Sequence, residues 1–359
     1  MYLEATRQDA ELCSSEMRNH SNRNRIISLL RGQAACQAIA ALAEAGVAEA
    51  MLGESFAAED FAGVRNPVVL RSLFKYLQSL DLLTAPNEDG RYSLTSEGRS
   101  VFKRSGGFLL LSSYDPYFAN LGNLLAGEPT VQPTVDRRRN VLGSGSLHSR
   151  KFFPAVWQML DGQPPAVLID LGCGDGTFLE LACAQWPKMT PVASDMSQLA
   201  VNYSVDRLKR LGRPAAAGIV EDACAVESWS SQLDGALKSA SPAVVSIWFV
   251  AHEFSGGRAE IVIDFYRRLR SSLPHAEVAM GEIVAIPPEV LACNHEASIM
   301  PEFLFFHELS NQGVLSWDAW RSILMEIPYR LSAERQFDLV ECDNGSTMPS
   351  SFLWHLKPA

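Results

Sequence analysis

Several things are scarce in this 359-residue chain. No uninterrupted apolar run approaches the roughly 20 residues a membrane span needs, so no span is expected. Positive charge is short: 31 Lys and Arg stand against 41 Asp and Glu, a net charge of −10. That balance excludes binding nucleic acid or an anionic membrane with the surface as a whole. The seven cysteines are odd in number and include no Cys-x-x-Cys pair, so no disulfide framework is expected and reduced thiols in a cytoplasm fit best. The opening Met-Tyr-Leu-Glu-Ala-Thr-Arg lacks the basic-then-apolar order of a signal peptide. What is there, 47% hydrophobic and 20% charged residues, is the composition of a folded chain long enough for two domains.

The most informative stretch runs from Ala166 to Thr177. Val167, Leu168 and Ile169 read as a strand buried on both faces, as in a parallel sheet. Asp170 ends it, Gly172, Gly174 and Gly176 follow, and a helix is expected from Phe178 to Gln185. Strand, glycine turn, helix is a nucleotide-binding geometry, because glycines let the backbone approach a ligand. Two familiar versions are excluded. The dinucleotide fingerprint would put its third glycine where Thr177 stands, and a phosphate-cradling loop would need a lysine that is missing.

Strands and helices alternate from residue 164 onward. Strands are expected at 166–170, 190–194, 218–220, 243–248 and 277–284, with a helix from Arg258 to Leu273. The fold class is therefore α/β, a Rossmann-like doubly wound sheet with ligand at the carboxyl ends of its strands. Asp195 follows the second strand, where a carboxylate accepts ribose hydroxyls. Asp222 follows the third, placed for an adenine amino group, with Ala223 beside it. Met196 and Trp248 flank the same ends.

Ahead of this lies a different pattern. Residues 1–24 are polar and irregular and read as an arm. Residues 25–150 form an N-terminal, mostly α, winged-helix-like domain, and 151–359 the cofactor-binding domain. Apolar residues between Ile26 and Leu52 recur at helical spacing among many alanines, a surface suited to a second subunit. Asn66-Pro67 starts a helix, Leu82–Thr84 and Arg91–Thr95 read as a hairpin around Asn87–Gly90, and Thr95-Ser-Glu-Gly98 opens another helix. A winged helix can bind DNA, but segment 66–104 has six basic and four acidic residues, a local charge of only +2. Dimerisation or pocket lining is the stronger reading. Phe108–Leu111, Tyr114, Tyr117 and Phe118 are core or a substrate wall. Asp136–Asn140 is a basic cluster, either a solvated face or, through Arg139, the partner of a substrate carboxylate. Gly143-Ser-Gly-Ser146 reads as a flexible loop able to close over a site.

Asp170, the three glycines and the acids at successive strand ends resemble motif I and its companions in the class I S-adenosylmethionine methyltransferases. Trp248-Phe-Val-Ala-His-Glu-Phe-Ser255 narrows the resemblance to the small-molecule O-methyltransferase type, from about residue 26 to the end. In that family a His-Asp-Trp motif follows strand four and its histidine is the general base. His252 takes that place here, with Glu253 and Phe254 as departures. The resemblance implies a winged-helix homodimer, S-adenosylmethionine as cofactor, and Asp170, Gly172, Gly174, Gly176, Asp195, Met196, Asp222, Ala223 and Trp248 around it.

A second departure is Pro301-Glu-Phe-Leu-Phe-Phe-His-Glu-Leu-Ser310, just before Asn311-Gln-Gly313. It gives a second His-Glu pair, and the chain then looks like the branch that methylates the β-carbon of 2-oxo acids. That likeness implies a divalent metal, Fe or Zn, on His252 and His307, an acceptor enolised on the metal, and Glu253 moving or orienting a proton. His295 is a rival second ligand, and His307 has a rival reading as a buried histidine among phenylalanines. Tyr114 and Arg139 are the candidate substrate contacts, and 5-guanidino-2-oxopentanoate is slightly favoured as acceptor. His20, His148, His275 and His355 read as surface or structural, and Trp317, Trp320, Ile323 and Leu324 as a core stripe. The alternatives are an O-methyltransferase with His252 as its base and no metal, and a cofactor-sensing winged-helix regulator.

Overall fold

The computed structural model describes residues 24–127, 133–150, 152–160, 164–294, 299–342, 345 and 347–359. The expected arm lies outside them except for Asn24, and so do His20 and the rival ligand His295. The chain divides into two compact units, one ending at Ser112 and the other beginning at Ser113.

The first unit is helical around a small apolar core of Ile39, Leu42, Met51, Phe74, Leu77 and Phe102. Its helix Pro67–Ser79 is capped as expected: Asn66 accepts a hydrogen bond from the Val69 amide at 3.2 Å, with Pro67 in the first turn. The hairpin is slighter than expected, a single antiparallel bridge between Leu83 and Leu94 plus another between Phe56 and Tyr92. Thr95 caps the helix Ser96–Phe102. Gly98 in that helix admits no side chain, because a Cβ there would lie 2.0 Å from the Leu82 carbonyl.

One finding departs from the expectation of no membrane-length run. The helix Asn24–Glu44 is long and apolar enough to cross a membrane by length and composition, with a mean hydropathy of 1.4. Ile26, Ile27, Leu29, Leu30, Ile39 and Leu42 carry most of that value, but Arg31, Gln33 and Gln37 interrupt them, which is why an inspection for long unbroken apolar stretches passes over it. Ile26, Leu29 and Leu30 on it are exposed.

The second unit is built on a seven-stranded sheet: β1 (Val167–Leu171), β2 (Thr190–Asp195), β3 (Ala217–Val220), β4 (Ala243–Trp248), β5 (Glu277–Ile283), β6 (Tyr329–Glu341) and β7 (Thr347–Pro358). The order is β3-β2-β1-β4-β5-β7-β6. The first five strands are parallel, and β7 is antiparallel to both of its neighbours. β1 is buried along its whole length. Val167, Ile169 and Leu171 point into a core with Trp229, Tyr266 and Trp320, while Leu168 points to the opposite face with Phe178 and Leu179. Helices therefore cover both faces, and the alternation of side chains along β1 assigns each residue its layer. Trp320 and Ile323 are fully buried in that core, with Trp317 and Leu324 packed against it.

Chain order reverses between β1 and β4, so their carboxyl ends splay apart into a crevice. The glycine turn follows β1 and the segment 249–254 follows β4, so both candidate motifs open onto that crevice. Residues 143–146, expected as a loop, are instead inside the helix Arg137–Ser149. The reason is close packing: a Cβ on Gly145 would lie 2.3 Å from Asp175 Oδ1, so glycine lets this helix rest directly on the turn.

Candidate active site

Gly172, Gly174 and Gly176 all have positive φ, at 74°, 53° and 79°. A Cβ on Gly172 would meet Val250 Cγ2 at 2.4 Å, and one on Gly176 would meet Ser204 Cα at 2.6 Å. The amides of Gly172 and Cys173 both donate to the Ser194 carbonyl, at 2.8 and 2.9 Å, which ties the turn to β2. Asp175 is a staple: it accepts from the Thr177 amide and hydroxyl and pairs with Arg207 at 2.8 Å.

A cavity of about 360 Å³ lies over the turn, within the usual range for a small-ligand site. Of the nine residues expected around the cofactor, Asp170, Gly172, Gly174, Asp195, Met196, Asp222, Ala223 and Trp248 line it. Gly176 does not; it caps the helix Thr177–Gln185 and packs on Ser204. Asp195 is held in place by the amides of Gly174 at 3.1 Å and Ser197 at 2.8 Å. Asp170 Oδ1 accepts from Ser246 at 2.7 Å, but its buried Oδ2 has no partner among the described residues. A buried acceptor left open against a cavity fits a cationic ligand group, such as the ammonium of S-adenosylmethionine.

Burial pushes the Asp170 carboxyl up to about 8, against a weaker lowering by Ser246, and burial raises Asp195 as well. The sign of the consequence is fixed. Below that value Asp170 is neutral, and an incoming ammonium favours the carboxylate and drives the proton off. Affinity for S-adenosylhomocysteine is therefore expected to rise between pH 6 and pH 8, by up to roughly tenfold per unit, with net proton release. Calorimetry in buffers of different ionisation enthalpy checks this, and Asp170→Asn should flatten the slope.

The two histidines singled out in the sequence come together. His252 lies on the short helix Ala251–Ser255 and His307 on Met300–Leu309, both at most 4% exposed. Their Nε2 atoms are 3.2 Å apart. His307 Nδ1 is 2.6 Å from the Phe303 carbonyl, which can only accept, so Nδ1 carries the hydrogen. His252 Nδ1 is 2.7 Å from Glu282 Oε1, a carboxylate that fixes the same tautomer. Glu282 also accepts from the backbone amides of His252 and Ile283. Each Nε2 therefore turns a lone pair on the other, and they repel unless a proton or a cation lies between them. Burial lowers His252 and the Glu282 carboxylate more than reverses this, so His252 is raised overall; burial, with His252 nearby, pushes His307 down to about 3.

Sequence reasoning missed Glu282, although a carboxylate in the apolar strand β5 was the available signal. Glu282→Gln keeps the shape and loses the charge. It is expected to cut activity about 10–100-fold with S-adenosylhomocysteine affinity unchanged, the usual cost of losing a carboxylate behind a functional imidazole.

The pair itself does not line the cavity; Glu253 and the segment Ser310–Gln312 on either side of it do. Tyr114 is buried, stacked on Phe306 at 5.1 Å and 5.9 Å from the His307 ring, and does not line the cavity either. Arg139 does not face the cavity: it pairs with Asp115 at 2.8 Å. Arg137 is the arginine of that cluster that lines it, paired with Glu253 at 3.0 Å. Residues 137, 140, 141, 144, 145 and 148 form one stripe of the helix over the cavity. His148, expected to be surface or structural, is on that stripe, stacked on Phe249 at 4.0 Å, and its Nδ1 has no partner among the described residues.

No family model matches the chain. It is 25% identical over 251 residues to the 2-ketoarginine methyltransferase of Streptomyces arginensis, covering 68% of this chain and 70% of that one. Among solved structures, the mitomycin 7-O-methyltransferase MmcR superposes with a TM-score of 0.56 at 13% identity, over 95% of this chain and 99% of that one. LaPhzM gives 0.56 at 15% over 94% and 99%. CalO1, a methyltransferase in calicheamicin biosynthesis solved with S-adenosylhomocysteine bound, gives 0.52 at 15% over 94% and 98%.

Proposed function

We propose that this protein, a class I S-adenosylmethionine-dependent methyltransferase, methylates the β-carbon of a 2-oxo acid with the help of a divalent ion at His252 and His307. The observation that carries the metal is the meeting of two Nε2 lone pairs at 3.2 Å with both Nδ1 atoms already engaged. Two nitrogens each about 2.0–2.1 Å from one tetrahedral ion stand about 3.3 Å apart, so the spacing fits a shared ion. Glu282 behind His252 and the Phe303 carbonyl behind His307 supply the outer hydrogen bonds that such ligands need. Among the described residues no third histidine, cysteine or carboxylate joins them. That leaves open positions of the kind a chelating acceptor fills. The similarity to a 2-ketoarginine methyltransferase supports the same substrate class.

When bound, the ion would act as a Lewis acid on the keto group, and S-adenosylmethionine would supply an electrophilic methyl. The protein's own contribution is placement. The glycine turn and Asp170 seat the amino-acid end of the cofactor, and Asp195 and Asp222 seat the ribose and adenine. Glu282 holds the His252 hydrogen on Nδ1, so that Nε2 of the neutral ring presents its lone pair, and the aromatic wall of Phe303, Phe306 and Tyr114 packs around the pair.

A second reading rests on the same dyad. With Glu282 raising its basicity, His252 can take a proton from a hydroxyl, which would make this an O-methyltransferase without a metal. Chelation separates the two. The purified enzyme is expected to lose 2-oxo acid methylation on dialysis against a chelator and to regain it with Fe(II) or Zn(II). Activity untouched by a chelator, with metal absent by elemental analysis, would favour the hydroxyl acceptor. A homodimer in a cytoplasm completes the proposal, and 5-guanidino-2-oxopentanoate is the first acid to test.

A further inference from the structure

The cavity wall carries six acids, Asp170, Asp175, Asp195, Glu221, Asp222 and Glu253, and among the described residues a single guanidinium, Arg137. Any anion entering this cavity has one cation to meet. Arg137 starts the helix that lies over the glycine turn. Its Nη1 alone contacts Glu253, at 3.0 and 3.3 Å from the two carboxylate oxygens. Nε and Nη2 have no protein partner among the described residues. Glu253 follows His252 on one short helix, so the arginine is anchored beside the imidazole pair. Its charge is also felt at His252, Tyr114 and Asp195.

We propose that Arg137 is the carboxylate receptor for the methyl acceptor, taking the acid's two oxygens on the guanidinium edge that Glu253 leaves unengaged. This rests on the 2-oxo acid reading. Nε and Nη2 form a planar fork that matches a carboxylate, and the anchor on Nη1 holds that fork still before the ligand arrives. Glu253 is then a positioning residue for Arg137. The receptor sits where the cavity gives way to the imidazole pair, the border that an acceptor must straddle to present its carbon to the cofactor.

A carboxylate also belongs to the cofactor's methionine end, so the test has two arms. Wild type, Arg137→Gln and Arg137→Lys are titrated calorimetrically with S-adenosylhomocysteine. Each is then saturated with it and titrated with a 2-oxo acid and with the methyl ester of that acid. Wild type is expected to prefer acid to ester at least about tenfold. Arg137→Gln should lose about 10–100-fold in acid affinity with its ester affinity unchanged, and Arg137→Lys should keep more of the preference than Arg137→Gln. Unchanged S-adenosylhomocysteine affinity shows that the fold is intact; if the glutamine variant does not fold, the acid-to-ester ratio of the lysine variant decides. Three results overturn the proposal: acid affinity kept in the glutamine variant, a loss confined to S-adenosylhomocysteine, or no acid preference in wild type. Should wild type bind no 2-oxo acid yet methylate another acceptor, the functional reading falls first and the receptor with it.

Discussion

A His307→Ala variant is expected to lose about 10²–10⁴-fold of its activity toward a 2-oxo acid, as much as His252→Ala loses. The equality is the point. In the metal reading each imidazole supplies one of two protein ligands, and either deletion leaves a single weak donor. In the proton-abstraction reading His252, backed by Glu282, does the chemistry, and His307 is only a neighbour whose Nε2 accepts the shared proton. His307→Ala would then cost little. Both variants should bind S-adenosylhomocysteine as wild type does, because neither imidazole lines the cavity over the glycine turn. Steady-state rates measured beside bound-metal content make the comparison.

Gly172→Val is expected to abolish cofactor binding, and Gly172→Ala to weaken it by about 10–100-fold. Position 172 has φ of 74°, where a β-branched residue is strained, and its added Cβ meets Val250 Cγ2 at 2.4 Å. Strain of about 1–3 kcal/mol is relieved only by moving the turn or the segment after β4, and both shape the cavity. Gly174→Ala offers the contrast: its nearest atom lies 3.8 Å away, so only the φ of 53° resists it. Loss at 172 should exceed loss at 174, read as dissociation constants for S-adenosylhomocysteine.

The parallel half of the sheet was legible because β1 and β4 are nearly continuous apolar runs and glycines mark the turn that matters. The β6–β7 hairpin was not. β6 reads Tyr329-Arg-Leu-Ser-Ala-Glu-Arg-Gln-Phe-Asp-Leu-Val-Glu341, mostly exposed, and its stability comes from long pairing with β7 rather than from its own pattern. Residues 143–146 are helical rather than a loop for a related reason: Gly145 serves close packing on Asp175, which sequence cannot separate from mobility. At the site, the pairing of His252 with His307 across 55 residues followed from the family resemblance, whereas local spacing held no trace of it. Arg137 and Arg139 could not be told apart in a run of three arginines, because the difference is which helix face each occupies.

The most direct test is to feed the metal-loaded enzyme S-adenosylmethionine labelled with ¹³C in the methyl group together with a panel of 2-oxo acids, and to read the product by carbon NMR. The account predicts a new carbon-bound methyl on the β-carbon of one of the acids, absent from His307→Ala. A label found only on oxygen, with His307→Ala as active as wild type, would contradict it.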